Sequence, residues 1–228
     1  MDYVKSKYQI ALHGIDCLWY PAKNPKQLWV LCNGATANRY TMWSWFWDAD
    51  ESWDDVSYLF LKDDQIRWYL GTAEQPLTDT YCAIITEVMQ KSHLTSNDVF
   101  TIGHSMGGYA ALHFGLLLGV KGILALRPQI DWFNGIQFFS IKKLADLWVN
   151  INDLILTSAQ VPSIYLQFGE FGPDKGAGET CINALLEKEA FMMIEKTLNT
   201  SHTGYHPTKD YLVSITNCLA QLNQVTPS

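Results

Sequence analysis

Charge is scarce in this chain. Only 17% of its 228 residues are Asp, Glu, Lys or Arg, and acids outnumber bases 23 to 16, for a net charge of −7. An acidic balance of that kind argues against a nucleic-acid binder and against a basic membrane-surface module. Cysteine is sparse as well. Cys17, Cys32, Cys82, Cys181 and Cys218 are scattered, with no C-x-x-C pair, so neither a zinc knuckle nor a disulfide framework is indicated. Free thiols in a reducing compartment are the simplest reading. The opening Met1-Asp2-Tyr3-Val4-Lys5-Ser6-Lys7 lacks the apolar core of a signal peptide, and the expected location is the cytoplasm. Long apolar runs are missing too: the most apolar window, residues 106–126, is interrupted by His113 and Lys121 and holds five glycines. It reads as a buried helix followed by a buried strand, not as a membrane span. Repeats, low-complexity tracts and linkers are absent, so residues 1–228 are expected to form one domain.

What the chain does have is concentrated in Gly103-His104-Ser105-Met106-Gly107-Gly108. The apolar run Val99-Phe100-Thr101-Ile102 precedes it, and a glycine-spaced apolar run follows it to Leu118. Strand, tight turn and helix form the context that a G-x-S-x-G nucleophile elbow requires. Glycines flank the serine because side chains there would collide, and Gly108, Ala110 and Ala111 let the helix approach the sheet. Ser105 is expected to stand exposed at the helix N-terminus, where the dipole and free N–H groups favour a developing oxyanion.

This stretch resembles the nucleophile elbow of the α/β-hydrolase superfamily. The resemblance implies a mostly parallel central sheet with helices on both faces, a serine nucleophile and no cofactor. It also implies an oxyanion hole. Residues 27–32 read as a strand buried on both faces, and they end in Asn33-Gly34-Ala35, where the superfamily usually has His-Gly-x. Asn33 replaces the histidine, the glycine is kept, and Ala35 is the matching N–H donor. The second donor is then the N–H of Met106, directly after the serine.

Elsewhere the patterning agrees with an α/β chain. Residues 8–12 and 17–20 flank the turn His13-Gly14-Ile15-Asp16 and resemble the superfamily's antiparallel opening hairpin. Strands are expected at 56–61, 120–126, 162–169 and 190–195. Helices are expected at 78–90, 178–188 and 207–222, with a further amphipathic helix that places Ile141, Leu144, Trp148 and Ile151 at helical spacing. Strands alternating with helices imply a parallel sheet covered on both faces. The superfamily inserts its cap in the region of residues 130–160, which here leaves room for only a small lid.

Three sets of residues are candidates for the pocket. Asn33 borders the loop that the resemblance assigns to the oxyanion hole. Trp43, with Trp45, Phe46, Trp47 and Trp53, either fills core or lines an entrance. Arg127, at the carboxyl end of a sheet strand, either holds a carboxylate or phosphate of the substrate or makes a surface ion pair.

A serine hydroxyl needs a base, and the base needs an anion to orient it. The superfamily order is serine, acid, histidine. His13 and His93 precede the elbow. His104 is the elbow histidine, which points away in the superfamily, and His113 lies well inside the following helix. His202 and His206 remain, and loop spacing favours His202. For the acid, the position three residues beyond Gly169, usual in the superfamily, is Gly172. The candidates are Asp174, then Glu170, then Asp131. His202-x-x-x-His206 has metal-ligand spacing, but it lacks a glutamate, and Gly204 and Pro207 oppose a helix, so no metal is expected.

The expected activity is hydrolysis of an ester or thioester of a small acyl substrate through an acyl-enzyme. The alternatives are an acyltransferase with the same three residues and a catalytically inactive binding protein on the same fold.

Overall fold

The computed structural model describes residues 2–36, 40, 42, 55–130, 142–202 and 208–222. The aromatic group around Trp43, together with Asp131 and His206, lies outside the described residues.

The described chain forms an eight-stranded sheet: β1 (Gln9–Leu12), β2 (Ile15–Tyr20), β3 (Gln27–Cys32), β4 (Val56–Leu61), β5 (Val99–His104), β6 (Gly122–Leu126), β7 (Ser163–Gly169) and β8 (Met192–Thr197). The spatial order is β1-β2-β4-β3-β5-β6-β7-β8. β1 and β2 pair antiparallel, as does β2 with β4. From β4 to β8 every pairing is parallel. The hairpin between β1 and β2 turns at His13 and Gly14, both with positive φ (50° and 79°), the backbone that a tight two-residue turn demands.

The central strands are mostly apolar and buried along nearly their whole length because both faces are covered. On one face Val30, Leu59, Ile123 and Leu166 pack with Tyr81, Ile84, Tyr109, Leu112 and Leu185. These come from α2 (Thr78–Lys91), α3 (Met106–Leu118) and α5 (Pro173–Glu187). On the other face Leu31, Phe60, Ile102 and Leu124 pack with Val4 of α1 (Asp2–Tyr8) and with Leu212, Ile215 and Leu219 of α6 (Lys209–Leu222). The expected mostly parallel sheet with helices on both faces is therefore present. No helix among the described residues is long and apolar enough to cross a membrane.

Several boundaries differ from the sequence reading. Tyr8 closes a helix rather than opening a strand, with its ring 5.1 Å from that of Tyr20 on β2. The helix expected at 178–188 begins earlier, at Pro173. Gly172 takes φ 69° just before it, and proline fits a first helical position, where no N–H is needed. The amphipathic helix drawn through Leu144 and Ile151 is broken. A 3-10 helix covers Lys142–Leu147, and α4 (Ile151–Thr157) starts afresh because the Asn150 side chain accepts from Asn152 N and Asp153 N. Leu144 and Ile151 are buried all the same. The last strand, expected at 190–195, begins two residues later, at Met192.

Candidate active site

The carboxyl ends of β3, β5, β6, β7 and β8 share one edge of the sheet, and the loops leaving them meet there. β5 ends in the elbow. Ser105 has φ 59° and ψ −121°, a conformation that costs about 1–3 kcal/mol and persists only where its surroundings impose it. Here they do. Ser105 N donates to Leu126 O at 2.9 Å, and Ser105 O accepts from Tyr109 N at 3.1 Å and from Gln129 N at 3.3 Å. Close packing supplies the rest of the constraint. A Cβ at Gly107 would lie 2.1 Å from the carbonyl oxygen of Cys32, at the end of β3. Ser105 is 8% exposed, so the elbow presents its hydroxyl from a nearly covered position rather than the open one expected from the sequence.

His202 lies in the loop after β8. Its Nε2 is 2.8 Å from Ser105 Oγ, and its Nδ1 is 2.9 Å from Asp174 Oδ1. In the tautomer with its proton on Nδ1, the ring donates to the Asp174 carboxylate and its Nε2 accepts from the serine hydroxyl. Asp174 is buried in the first turn of α5, where the helix N-terminus favours its negative charge. Both ring nitrogens of His202 are thus occupied. Among the described residues no three His, Cys, Asp or Glu side chains form a group able to hold a metal ion.

Of the other two acids, Glu170 is engaged elsewhere. It accepts from Asn199 N at 3.0 Å and lies 3.8 Å from Lys196 Nζ, bracing the loop that carries His202. Asp131 lies outside the described residues.

Gly34 brings the loop after β3 against the elbow: a Cβ there would lie 3.9 Å from Ser105 Cβ and 3.3 Å from His104 O. Neither Ala35 N nor Met106 N donates a backbone hydrogen bond among the described residues. Asn33, considered from the sequence as a pocket residue, is fully buried. Its Oδ1 accepts from Met42 N at 3.3 Å, and its carbonyl accepts from Tyr69 Oη at 3.0 Å. It fastens the loop rather than lining open space.

His104 does not point away, as the resemblance implied. Its ring centroid lies 5.7 Å from that of His202, so a second imidazole adjoins the hydrogen-bonded pair. His113 is a core residue, packed 5.5 Å from Tyr109 and 5.6 Å from Phe114, centroid to centroid.

Arg127 is neither at the surface nor in an exposed ion pair. It is fully buried, with φ 45°, and its Nη2 donates to Thr197 Oγ1 at 3.0 Å and Thr200 Oγ1 at 3.1 Å. Burial pulls its pKa below the ordinary arginine value, and the charges of Asp174 and Glu195 oppose that shift. Sequence reasoning passed over Tyr69, Thr197 and Thr200. The pair Thr197-x-x-Thr200 at the end of the last strand was the signal available for two of them, and nothing in the sequence marks Tyr69.

No family model matches the chain, and no curated protein matches it in sequence. Solved structures do. A fluorophosphonate-binding serine hydrolase of Staphylococcus aureus, FphF, superposes with a TM-score of 0.68 at 13% identity, covering 94% of this chain and 96% of the other. The S-formylglutathione hydrolase FrmB of Staphylococcus aureus gives 0.65 at 14% identity, covering 91% and 92%. The capsule O-acetyltransferase of Neisseria meningitidis serogroup A gives 0.65 at 18% identity, covering 95% and 92%. At such identities the likeness is one of fold, and the fold is that of the α/β-hydrolases.

Proposed function

We propose that the chain is a serine hydrolase that cleaves a small ester or thioester through an acyl-enzyme. The observation that carries the reading is the continuous run of hydrogen bonds from Asp174 through His202 to Ser105, at 2.9 and 2.8 Å. In this reading Ser105 Oγ attacks the substrate carbonyl carbon while His202 Nε2 takes the hydroxyl proton. Asp174 stabilises the imidazolium so formed. The carbonyl oxygen becomes an oxyanion and is held by Ala35 N–H and Met106 N–H. Each such donor contributes about 3 kcal/mol to the transition state. The bond to the leaving alcohol or thiol breaks, and His202 returns the proton to the leaving group. Water, deprotonated in turn by His202, then releases the acid and restores Ser105. The residues of this cycle supply every proton transfer, so no cofactor is required.

A second reading has its own support. The O-acetyltransferase shares the fold over nearly the whole of both chains. An acyltransferase uses the same first half-reaction, with a second alcohol in place of water. A chromogenic acyl ester assayed with and without excess acceptor alcohol separates the two by the product formed.

The five cysteines are free thiols, in keeping with a reducing, cytoplasmic setting. We treat residues 1–228 as one hydrolase domain, with any lid drawn from residues 130–160. The described part of that segment is anchored, since Tyr109 Oη donates to Val149 O at 3.1 Å and the Tyr109 ring stacks on Trp148 at 4.5 Å. The test is labelling with a fluorophosphonate probe. The wild-type chain is expected to label and Ser105→Ala to remain unlabelled. Equal labelling of both would move the nucleophile elsewhere, and a folded wild type that neither labels nor turns over an ester would leave a binding protein on a hydrolase fold.

A further inference from the structure

We propose, on the basis of the serine-hydrolase reading, that Arg127 is a positioning residue. It sets the distance between nucleophile and base by tying the elbow's support to the loop that carries His202.

The end of β6 is where the two meet. Leu126 O accepts the N–H of Ser105 at 2.9 Å and so holds the elbow. The next residue, Arg127, donates its own N–H to Gln167 O of β7 at 2.7 Å. Its side chain then reaches past β7 to the end of β8. Nη2 carries two N–H groups, and there are two acceptors, Thr197 Oγ1 and Thr200 Oγ1. Both hydroxyls keep their own protons occupied: Thr197 Oγ1 donates to Phe168 O at 3.2 Å, and Thr200 Oγ1 to Thr197 O at 3.1 Å. Thr197 Oγ1 and Thr200 Oγ1 also lie 2.8 Å apart, within hydrogen-bond distance of each other. Thr200 stands two residues before His202. The group that fixes Ser105 and the group that fixes the histidine loop thus belong to adjacent residues, Leu126 and Arg127.

The loop has little freedom except through this contact and the acid loop beside it. Glu170 N donates to Thr197 O at 3.1 Å, and Phe171 N to Thr200 O at 3.2 Å. A Cβ on Gly169 would lie 2.6 Å from Ser201 O, so the chain just before His202 lies directly on the β7 backbone. These contacts fix the histidine loop to the loop leading to Asp174. Arg127 fixes it to the serine.

A purely structural role does not account for an arginine here. Burying a guanidinium is expensive unless a carboxylate pairs with it, and an apolar side chain of similar volume is usually as stabilising. Arg127 is fully buried, bonds neutral hydroxyls, and has Nε and Nη1 without a hydrogen-bond partner among the described residues. It adopts a positive φ as well. Full burial also removes it from contact with substrate, so it acts through His202.

The test uses the full chain and two rates: turnover of a chromogenic acyl ester, and labelling of Ser105 by a fluorophosphonate. Thr200→Val keeps the shape of the side chain and removes the acceptor. It is expected to lower kcat by about 10- to 100-fold, the scale of a small misplacement of a reacting group, with KM within about twofold. Labelling slows by the same factor and the circular dichroism spectrum is unchanged. Thr200→Ser restores the acceptor and is expected to recover most of the rate. Arg127→Met lowers kcat likewise, and combining it with Thr200→Val adds little, since both remove one interaction. If Arg127→Met does not fold, Thr197→Val with Thr200→Val decides the matter from the other side. Wild-type kcat in that double variant would overturn the proposal, as would a raised KM at unchanged kcat. Those outcomes leave the hydrolase reading standing, whereas a wild type that neither labels nor turns over removes both.

Discussion

Ser105 and His202 are separated by 97 positions in the chain and by 2.8 Å between Oγ and Nε2. The sheet edge closes that gap, because both residues follow parallel strands and parallel strands end on the same side. The relationship makes His202 the group whose loss is most specific. His202→Ala is expected to lower ester turnover by about 10⁴ while leaving the circular dichroism spectrum unchanged. His206→Ala, assayed beside it, is expected to keep substantial activity. A folded but inactive His206→Ala with an active His202→Ala would reassign the base.

Asp174 and Glu170 separate in the same way. Asp174→Asn removes the negative charge and offers His202 an N–H donor in place of a carboxylate oxygen, which disfavours the required tautomer, and is expected to cost about 10⁴ in kcat. Glu170→Gln loosens the brace on Asn199 and is expected to cost only about a few-fold. If Asp174→Asn stays within a few-fold of wild type, another acid orients the histidine.

The Tyr69 hydroxyl donates to Asn33 O at 3.0 Å and to Leu61 O at 3.3 Å. Asn33 stands two residues before Ala35. Tyr69→Phe is expected to destabilise the fold by about 1 kcal/mol, read as a fall in Tm of about 2–4 °C. A slower turnover at unchanged KM is expected with it, through a looser oxyanion loop. Unchanged Tm and kcat would show that the hydroxyl holds nothing.

His113 provides a pH dependence. Burial lowers its pKa from 6.5 to about 4. Over that interval the unfolded chain binds a proton that the folded chain does not, so stability is fully present above about pH 6.5 and is lost as pH falls toward about 4. His113→Phe is expected to reduce that acid loss, by at most about 3 kcal/mol. Urea unfolding midpoints at about pH 7 and about pH 4.5 measure it. An identical drop in both proteins would place the acid sensitivity in other groups.

The elements legible in the sequence were those whose signal is local. The central strands are predominantly apolar runs, and β3, β4 and α2 begin where the patterning placed them. The elbow is legible for the same reason: glycine, serine and glycine lie within five residues, and both glycines are required by the close packing of the turn. The break at Asn150 was not legible, because Leu144 and Ile151 keep helical spacing on either side of it while a side-chain cap decides the backbone. The start of α5 at Pro173 was missed for a similar reason, and with it the placement of Asp174 in a helical turn rather than a loop.

The sequence by itself determined the class of fold and the strained serine, since periodicity and turn chemistry act between near neighbours; the chain order of serine, acid and histidine was implied by the superfamily resemblance. Which acid meets which histidine was decided only in three dimensions. Glu170 and Asp174 are four residues apart and chemically alike, but one turns outward to Lys196 and Asn199 while the other turns inward to His202. The roles of Arg127, Asn33 and His104 were decided there too. Nothing in their neighbours along the chain states whether a polar side chain at a strand end faces water or is enclosed. That depends on the loops of β7 and β8 folding over the same edge of the sheet, and so on contacts between residues far apart in the sequence.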